Sequence, residues 1–272
     1  MAGLFLINCN TQKTEHQMIH SFNKDKLTVK IYSSRDELGR ASAIEAGNKI
    51  KELLKTQESV AIIFAAAPSQ NEFLVNLVNQ DGIDWNRIDA FHMDEYIGLQ
   101  PAAPQGFGNF LKDRIFSLKS FRSVQYLNGQ CKSKEDECTR YGQLIAAHPI
   151  DIVFMGIGEN GHIAFNDPHV ADFNDKALVK VVELDTLCRQ QQVNDGCFET
   201  IAQVPTHAFT VTIPVLLKAR FIYCMVPGTT KAQAVANTFE QEISERYPST
   251  ILRKHPAANL YLDQESAGKL NL

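Results

Sequence analysis

A mostly parallel α/β sheet of Rossmann-like layout, with helices on both faces, is the fold class the sequence predicts. Three observations predict it. Short continuous apolar runs at 60–66, 150–155 and 221–226 read as strands buried on both faces. Between such runs lie segments whose apolar residues recur at helical spacing. Polar, glycine-bearing turns fall directly after strands, which is where sheets of this kind place their ligands.

The elements follow in order. Residues 1–26 read as an N-terminal arm, loose and polar over 9–26, ahead of a single domain spanning 27–272. Leu27 to Tyr32 alternates with β-branched residues and reads as the first strand. Arg35 to Lys55 carries Leu38, Ala41, Ile44, Ala46, Ile50 and Leu53 at helical spacing. Strand Val60–Ala66 is followed by the turn Ala67-Pro68-Ser69-Gln70 and a helix over Asn71–Asn79. Ile88–Met93 is a strand, Phe107–Ser117 and Asp136–Ala147 are helices, and Ile150–Met155 is a strand ending in a glycine-rich turn. Leu178–Leu184, Ala208–Ile213 and Phe221–Val226 are strands, Lys231–Glu242 a helix, and Leu260–Leu262 the last short strand.

Composition narrows the function classes. The 272 residues carry 27 Lys plus Arg against 31 Asp plus Glu, a formal charge of −4, so no general attraction to nucleic acid or anionic membrane is expected. No apolar segment approaches the roughly 18 residues needed to cross a bilayer. Met1 to Asn8 has a short apolar run without a basic flank or cleavage site, so no export signal is expected. Six cysteines, at 9, 131, 138, 188, 197 and 224, form no C-x-x-C pair and no zinc-spaced Cys/His cluster. Reduced thiols in a cytoplasm, and no metal site, are the expectation. Trp85 reads as a core or interface residue, and His255-Pro256 as a turn.

Three strand ends carry chemistry. After strand 88–93 come Asp94 and Glu95, and adjacent carboxylates there can send one side chain into a cleft and the other elsewhere. A cleft carboxylate shielded from water has raised proton affinity and suits a general base; the competing expectation is that Asp94 caps the next helix or pairs with an arginine. After strand 150–155 come Gly156, Gly158 and Gly161, whose spacing lets backbone approach a ligand. They lack the dinucleotide fingerprint and lead into Asn160, His162, Asn166 and Asp167. A histidine–carboxylate pair there can pass a proton to and from a sugar ring oxygen, whereas a purely structural loop would use these polar residues for Asx turns. After strand 221–226 come Gly228, Thr229, Thr230 and Lys231, where free N–H groups, hydroxyls and an ammonium suit a phosphate, or an ordinary threonine cap with a solvated lysine.

Taken together these residues resemble the glucosamine-6-phosphate deaminase family, related to the 6-phosphogluconolactonases. The resemblance runs from about Leu27 to the end of the chain. It rests on MDEY at 93–96, GIGENGHIAFNDP at 156–168, GTTKAQA at 228–234 and HPAANLYLD at 255–263. It implies an aldose–ketose isomerisation with loss of ammonia, needing no metal or other cofactor, on a small-molecule sugar phosphate that yields fructose 6-phosphate. By motif position Asp94 would take the proton from C2, His162 would shuttle a proton at the ring oxygen, Asn160 and Asp167 would assist it, and Lys231 would hold the phosphate. The family usually has Glu where Asp167 stands, and one methylene fewer withdraws the carboxylate by ~1.5 Å, so a slackened His162 contact is expected unless the loop closes in.

The anion-binding positions depart further. The family's Thr/Gly-rich phosphate loop here reads Ala65-Ala66-Ala67-Pro68-Ser69-Gln70, which leaves Ser69 as its hydroxyl. Its arginine after the sixth strand aligns with Gln192, a neutral amide in place of a bidentate clamp, with Arg189 one turn away as a substitute. Gly106 and Phe107 replace a serine and a tyrosine, and the positions of an allosteric effector site just after 168 are unmatched. The expectation is an altered substrate or a rearranged phosphate site on a retained isomerase–deaminase centre. A lactonase is the next reading, disfavoured because that branch carries an arginine where Tyr96 sits. A sugar-phosphate-binding protein without turnover is the third. Related enzymes occur as single chains and as assemblies, so a homo-oligomer stays open.

Overall fold

In the computed structural model, which describes residues 18–271, eight strands form one sheet in the order β1-β2-β11-β10-β7-β3-β4-β6. These are β1 (Met18–Lys24), β2 (Leu27–Tyr32), β3 (Val60–Phe64), β4 (Ile88–His92), β6 (Ser123–Gln125), β7 (Ile152–Met155), β10 (Phe221–Val226) and β11 (Ala258–Asp263). Every neighbouring pair is parallel except β1 with β2. A second, three-stranded antiparallel sheet is ordered β5-β9-β8, from β5 (Asp94–Tyr96), β9 (His207–Val211) and β8 (Val179–Glu183).

Alternation along the strands divides the core into two layers. Ile62, Phe64, Ile152, Phe154, Tyr223 and Tyr261 face helices α1 (Arg35–Leu53) and α2 (Asn71–Val78). Ala61, Ile63, Val153, Met155, Cys224 and Leu260 face α4 (Lys134–Ala147) and α7 (Ala232–Glu240). The expected layout, a mostly parallel sheet with helices on both faces, is what the chain adopts. Helix starts follow local chemistry: Ser34 accepts from Glu37 N at 3.2 Å and Ser133 from Asp136 N at 3.1 Å, with acidic residues in both first turns. From β3 the chain moves outward through β4 and β6, whereas β7, on the other side of β3, leads to β10 and β11. The sheet therefore reverses direction between β3 and β7, and a crevice opens beyond their carboxyl ends.

Several boundaries and elements differ from the sequence expectation. Of the arm at 1–26, residues 18–24 are strand β1, an exposed edge strand whose register is set by pairing with β2; the rest of that arm below residue 18 lies outside the described residues. Strands β8 and β9 do not join the parallel sheet. The helix expected over 107–117 is α3 (Phe107–Leu111) followed by a wider π turn over Lys112–Phe116. Helix α5 (Thr186–Asn194), capped by Asp185, and the short α6 (Ile213–Leu217) fall where no helix was expected. Trp85 is buried edge-on against Phe121 at 5.1 Å, as a core residue, and His255 is buried in a turn with Nε2 2.8 Å from Ala219 O. Among the described residues no helix is long and apolar enough to cross a membrane.

Candidate active site

A cleft lies at that crevice, walled by residues that follow β3, β4, β7 and β10 together with α5. Asp94, His162, Ser69, Lys231 and Gln192 all line it, so the three strand ends singled out in the sequence meet there, joined by the end of β3 and by α5. Strand β9 fixes the spacing of the two groups that matter most. Its Thr210 pairs with Asp94 across the small sheet, and Thr210 Oγ1 accepts the Phe165 N–H of the histidine loop at 3.1 Å. Asn166, fully buried, donates to Ile163 O at 3.0 Å and Val211 O at 2.9 Å. Both loops are thus tied to one strand, and Asn166 serves the tie rather than the cleft.

The two adjacent carboxylates part company. Glu95 accepts from the backbone N–H groups of Tyr96 (2.9 Å), Phe107 (3.0 Å) and Gly108 (2.8 Å), so Glu95, not Asp94, holds the start of α3. Asp94 is buried, its carboxylate has no hydrogen-bond partner among the described residues, and it faces the cleft. Burial, and next the neighbouring Glu95 charge, raise its carboxyl well above the ordinary value. His92 holds the backbone behind it: Nδ1 lies 2.9 Å from Asp94 O, and Nε2 accepts Leu127 N–H at 2.9 Å. Burial lowers the His92 pKa to about 4, which keeps this bridge neutral.

The second group is a chain of contacts. His162 Nδ1 lies 2.7 Å from Asn160 Oδ1 and 3.0 Å from Asp167 Oδ1. Asn160 Nδ2 donates to Asp167 Oδ1 at 2.9 Å, and Asp185 N, at the cap of α5, donates to Asp167 Oδ2 at 3.0 Å. Burial alone would raise the Asp167 carboxyl, but the hydrogen bond and charge of His162, then Asn160 and Asp185, hold it below its ordinary value. Two acceptors at Nδ1 place the proton there, so Nε2 keeps its lone pair on the cleft side. The slackened contact expected from the shorter Asp167 does not occur. The loop and the α5 cap bring the carboxylate in to hydrogen-bond distance.

This fold has known counterparts. The model of the glucosamine-6-phosphate isomerase and 6-phosphogluconolactonase family matches residues 33–261. The chain belongs to that family. A glucosamine-6-phosphate deaminase of Streptococcus sanguinis (strain SK36) is 34% identical over 230 residues, covering 84% of this chain and 95% of that protein. A solved structure of a monomeric glucosamine-6-phosphate deaminase superposes with a TM-score of 0.79 at 29% identity, covering 88% of this chain and 98% of that one. A 6-phosphogluconolactonase from Thermotoga maritima superposes with a TM-score of 0.71 at 16% identity, over 87% and 99% of the two chains, a likeness of fold alone.

Within the family frame the anion-binding expectations need correction. Arg189 does not line the cleft; its Nη2 donates to Ile201 O at 2.7 Å and Val204 O at 2.9 Å, so it braces a loop instead of substituting for the missing clamp. In the turn at 228–231 the Gly228 N–H is taken by the Asp263 carboxylate at 3.0 Å, the Lys231 N–H by Gly228 O at 3.1 Å, and the Thr229 hydroxyl donates to Glu265 at 3.2 Å. Lys231 alone faces the cleft from that turn. It is 4% exposed with no ion pair among the described residues, and burial lowers its pKa, with Asp195 and Glu159 opposing. Gly158 lines the cleft, but its role is to clear the imidazole, since a Cβ there would sit 2.1–2.4 Å from the His162 ring. Gly161 does not line the cleft and is required by its backbone, at φ +87°.

Residues that sequence reasoning passed over complete the site. Gln191 lines the cleft and accepts Glu159 N–H at 2.9 Å, and Gln70 ties the β3 loop to Met225 O at 3.2 Å. Phe107 and Phe165, stacked at 5.4 Å, form an apolar wall backed by Tyr96. Cys188, on the first turn of α5, is buried against Asp167. A run of glutamines and a lone cysteine carry no motif, and only the unpredicted helix brings them inward.

Proposed function

We propose that the chain is an aminosugar-phosphate isomerase–deaminase that converts glucosamine 6-phosphate into fructose 6-phosphate and ammonia. One observation carries the reading: a buried, unpartnered Asp94 carboxylate and the free Nε2 of His162 line the same cleft. Nε2 takes the proton of the C1 hydroxyl and returns it to the ring oxygen, which breaks the ring C1–O bond and frees the aldehyde. Asn160 and Asp167 hold the imidazole and stabilise the imidazolium formed on the way. Asp94 then takes the C2 proton, its basicity raised by burial, while the substrate's C2 ammonium gives a proton to the C1 oxygen, and Asp94 delivers its proton to C1 of the enolamine so formed. The resulting C2 imine adds water and releases ammonia. Lys231, with Ser69 and the Gln192 amide, receives the phosphate.

The 34% identical deaminase and the 29% identical deaminase structure support this chemistry over lactone hydrolysis. The test is ammonia release from glucosamine 6-phosphate by the wild type and by Asp94→Asn, beside acid release from 6-phosphogluconolactone. Ammonia that disappears in Asp94→Asn is the expected result. Acid release above the spontaneous rate with no ammonia overturns the reading in favour of a lactonase. Calorimetric binding of either sugar phosphate with no product overturns it in favour of a binding protein.

A further inference from the structure

Behind the His162 ring lies a trio that no motif announces. One ring nitrogen of His162, one carboxylate oxygen of Asp167 and the Cys188 sulfur all lie within 4.8 Å of one another, and all three residues are buried. They come from two separate elements, the loop after β7 and the first turn of α5, pinned together by the Asp185 N–H on Asp167 at 3.0 Å. Imidazole, carboxylate and thiolate are the donor types zinc prefers. With bonds of roughly 2.0–2.3 Å, a tetrahedral ion sets its ligand atoms roughly 3.3–3.8 Å apart. The three donors, at most 4.8 Å apart, need to close by no more than about 1 Å, and the Nδ1–Oδ1 pair, 3.0 Å apart, to open slightly. Asn160 Oδ1, 2.7 Å from the same nitrogen, is a fourth oxygen donor in reach.

We propose that His162, Asp167 and Cys188 form a zinc-type transition-metal site whose occupation switches the proton relay off. The exchange balances simply. The Cys188 S–H bond breaks, a sulfur–metal bond forms, and one proton leaves to solvent. The imidazole gives its Nδ1 lone pair to the metal, so its single ring proton moves from Nδ1 to Nε2 and the ring stays neutral. With Nε2 protonated, the nitrogen facing the cleft has no lone pair to accept the C1 hydroxyl proton. The His162–Asp167 hydrogen bond is lost in the same step. The ion enters from the cleft, past the His162 ring, so onset is slow relative to substrate binding. The binding half of this proposal stands on the trio's geometry, and the inhibitory half rests on the role given to His162 above.

Titration of the full chain with Co²⁺, followed by displacement with Zn²⁺, tests the binding half. A thiolate-to-cobalt charge-transfer band with tetrahedral visible bands is expected, retained when the half-buried pair Cys131 and Cys138 is changed to serine. Affinity is expected to fall by about 100-fold or more in Cys188→Ser and likewise in His162→Ala, a second variant that removes a different ligand. No band in the wild type, or a band unchanged in both variants, overturns the site. Ammonia release, measured in parallel, should fall slowly on zinc addition and recover with EDTA. A cobalt band lost in both variants, together with undiminished turnover of the zinc-loaded protein, overturns the inhibitory half and the role of His162 while leaving the site. Ammonia absent even before metal is added, with the band intact, overturns the deaminase reading instead.

Discussion

Gly158→Ala measures how tightly the relay is held. A methyl at 158 would sit 2.1 Å from Cε1, 2.3 Å from Nε2 and 2.4 Å from Nδ1 of His162, against 3.4 Å for ordinary contact. The ring has to move by about 1.3 Å, which follows from that shortfall. On its far side it is held by Asn160 Oδ1 at 2.7 Å and Asp167 Oδ1 at 3.0 Å. No displacement of that size keeps both contacts and leaves Nε2 aimed at the cleft. Misplacing a reacting group by about 1 Å costs about 100-fold in rate, or about 3 kcal/mol of transition-state stabilisation. Disturbing the buried Asp167 contact adds a stability loss of about 1–3 kcal/mol. The assay is steady-state ammonia release beside a calorimetric melt, with Gly156→Ala as comparator, whose methyl would meet Gln70 Nε2 at 3.1 Å and needs only a small shift. A folded Gly158→Ala protein turning over within about threefold of wild type would refute the claim that the ring position is fixed and used.

Asp94→Asn is expected to abolish ammonia release and raise Tm. The folded carboxyl titrates well above its ordinary 3.8, so ionised Asp94 opposes folding increasingly as pH rises from 3.8 through the folded pKa; the stabilisation seen at neutral pH should vanish below 3.8. The acid limb of kcat/KM should sit above the ordinary carboxylate range for the same reason. His92, lowered from 6.5 to about 4, contributes stability that is complete above 6.5 and lost as pH falls toward 4. Denaturant titrations across that window should show a loss on the order of 3 kcal/mol in wild type that is absent in His92→Gln. Lys231→Met should raise KM for a phosphorylated substrate by about 10–100-fold, the value of a charged hydrogen bond of about 1.5–3 kcal/mol, and an unchanged KM would remove Lys231 from the anion site.

The parallel sheet was legible because its strands are buried on both faces and therefore apolar throughout, as at Val60–Phe64 and Phe221–Val226. Edge and antiparallel strands were not. Met18–Lys24 is a mostly exposed polar strand whose existence depends on β2 alongside it, and Asp94–Tyr96 is three residues whose pairing with β9 is entirely non-local. Helix α5 was hidden because Thr186–Asn194 is mostly polar and two of the three residues it buries, Gln191 and Gln192, are polar, with Cys188 the third. At the site, residue types at strand ends forecast the cleft groups Asp94, His162 and Lys231, and the family resemblance added Ser69 and Gln192. They could not forecast partners. Arg189, Glu95 and the Gly228 N–H each have a chemistry suited to the ligand, and each is spent on the protein's own backbone or on a neighbouring acid.

The division of labour in the cleft has an energetic consequence. The proton-moving groups are over-determined: β9 ties the Asp94 strand to the histidine loop, and Asn160 and Asp167 hold one imidazole while Asn160 Nδ2 and the Asp185 N–H hold Asp167. The anion end is sparse. Alanine methyls at 65–67 replace donors, Asp263 and Glu265 take the Gly228 N–H and the Thr229 hydroxyl, and one buried ammonium remains as the cleft's cation, beside the neutral Ser69 and Gln192. Binding energy from a remote substituent accelerates a reaction only when it is spent on positioning the reacting centre. A cleft whose reacting centre is already positioned by protein contacts needs less of that energy. Turnover in this chain should therefore be less sensitive to the anion than KM is, and the two halves of the cleft can vary independently. That independence is the physical basis on which one fold keeps its proton chemistry while the group it recognises at the far end of the sugar changes.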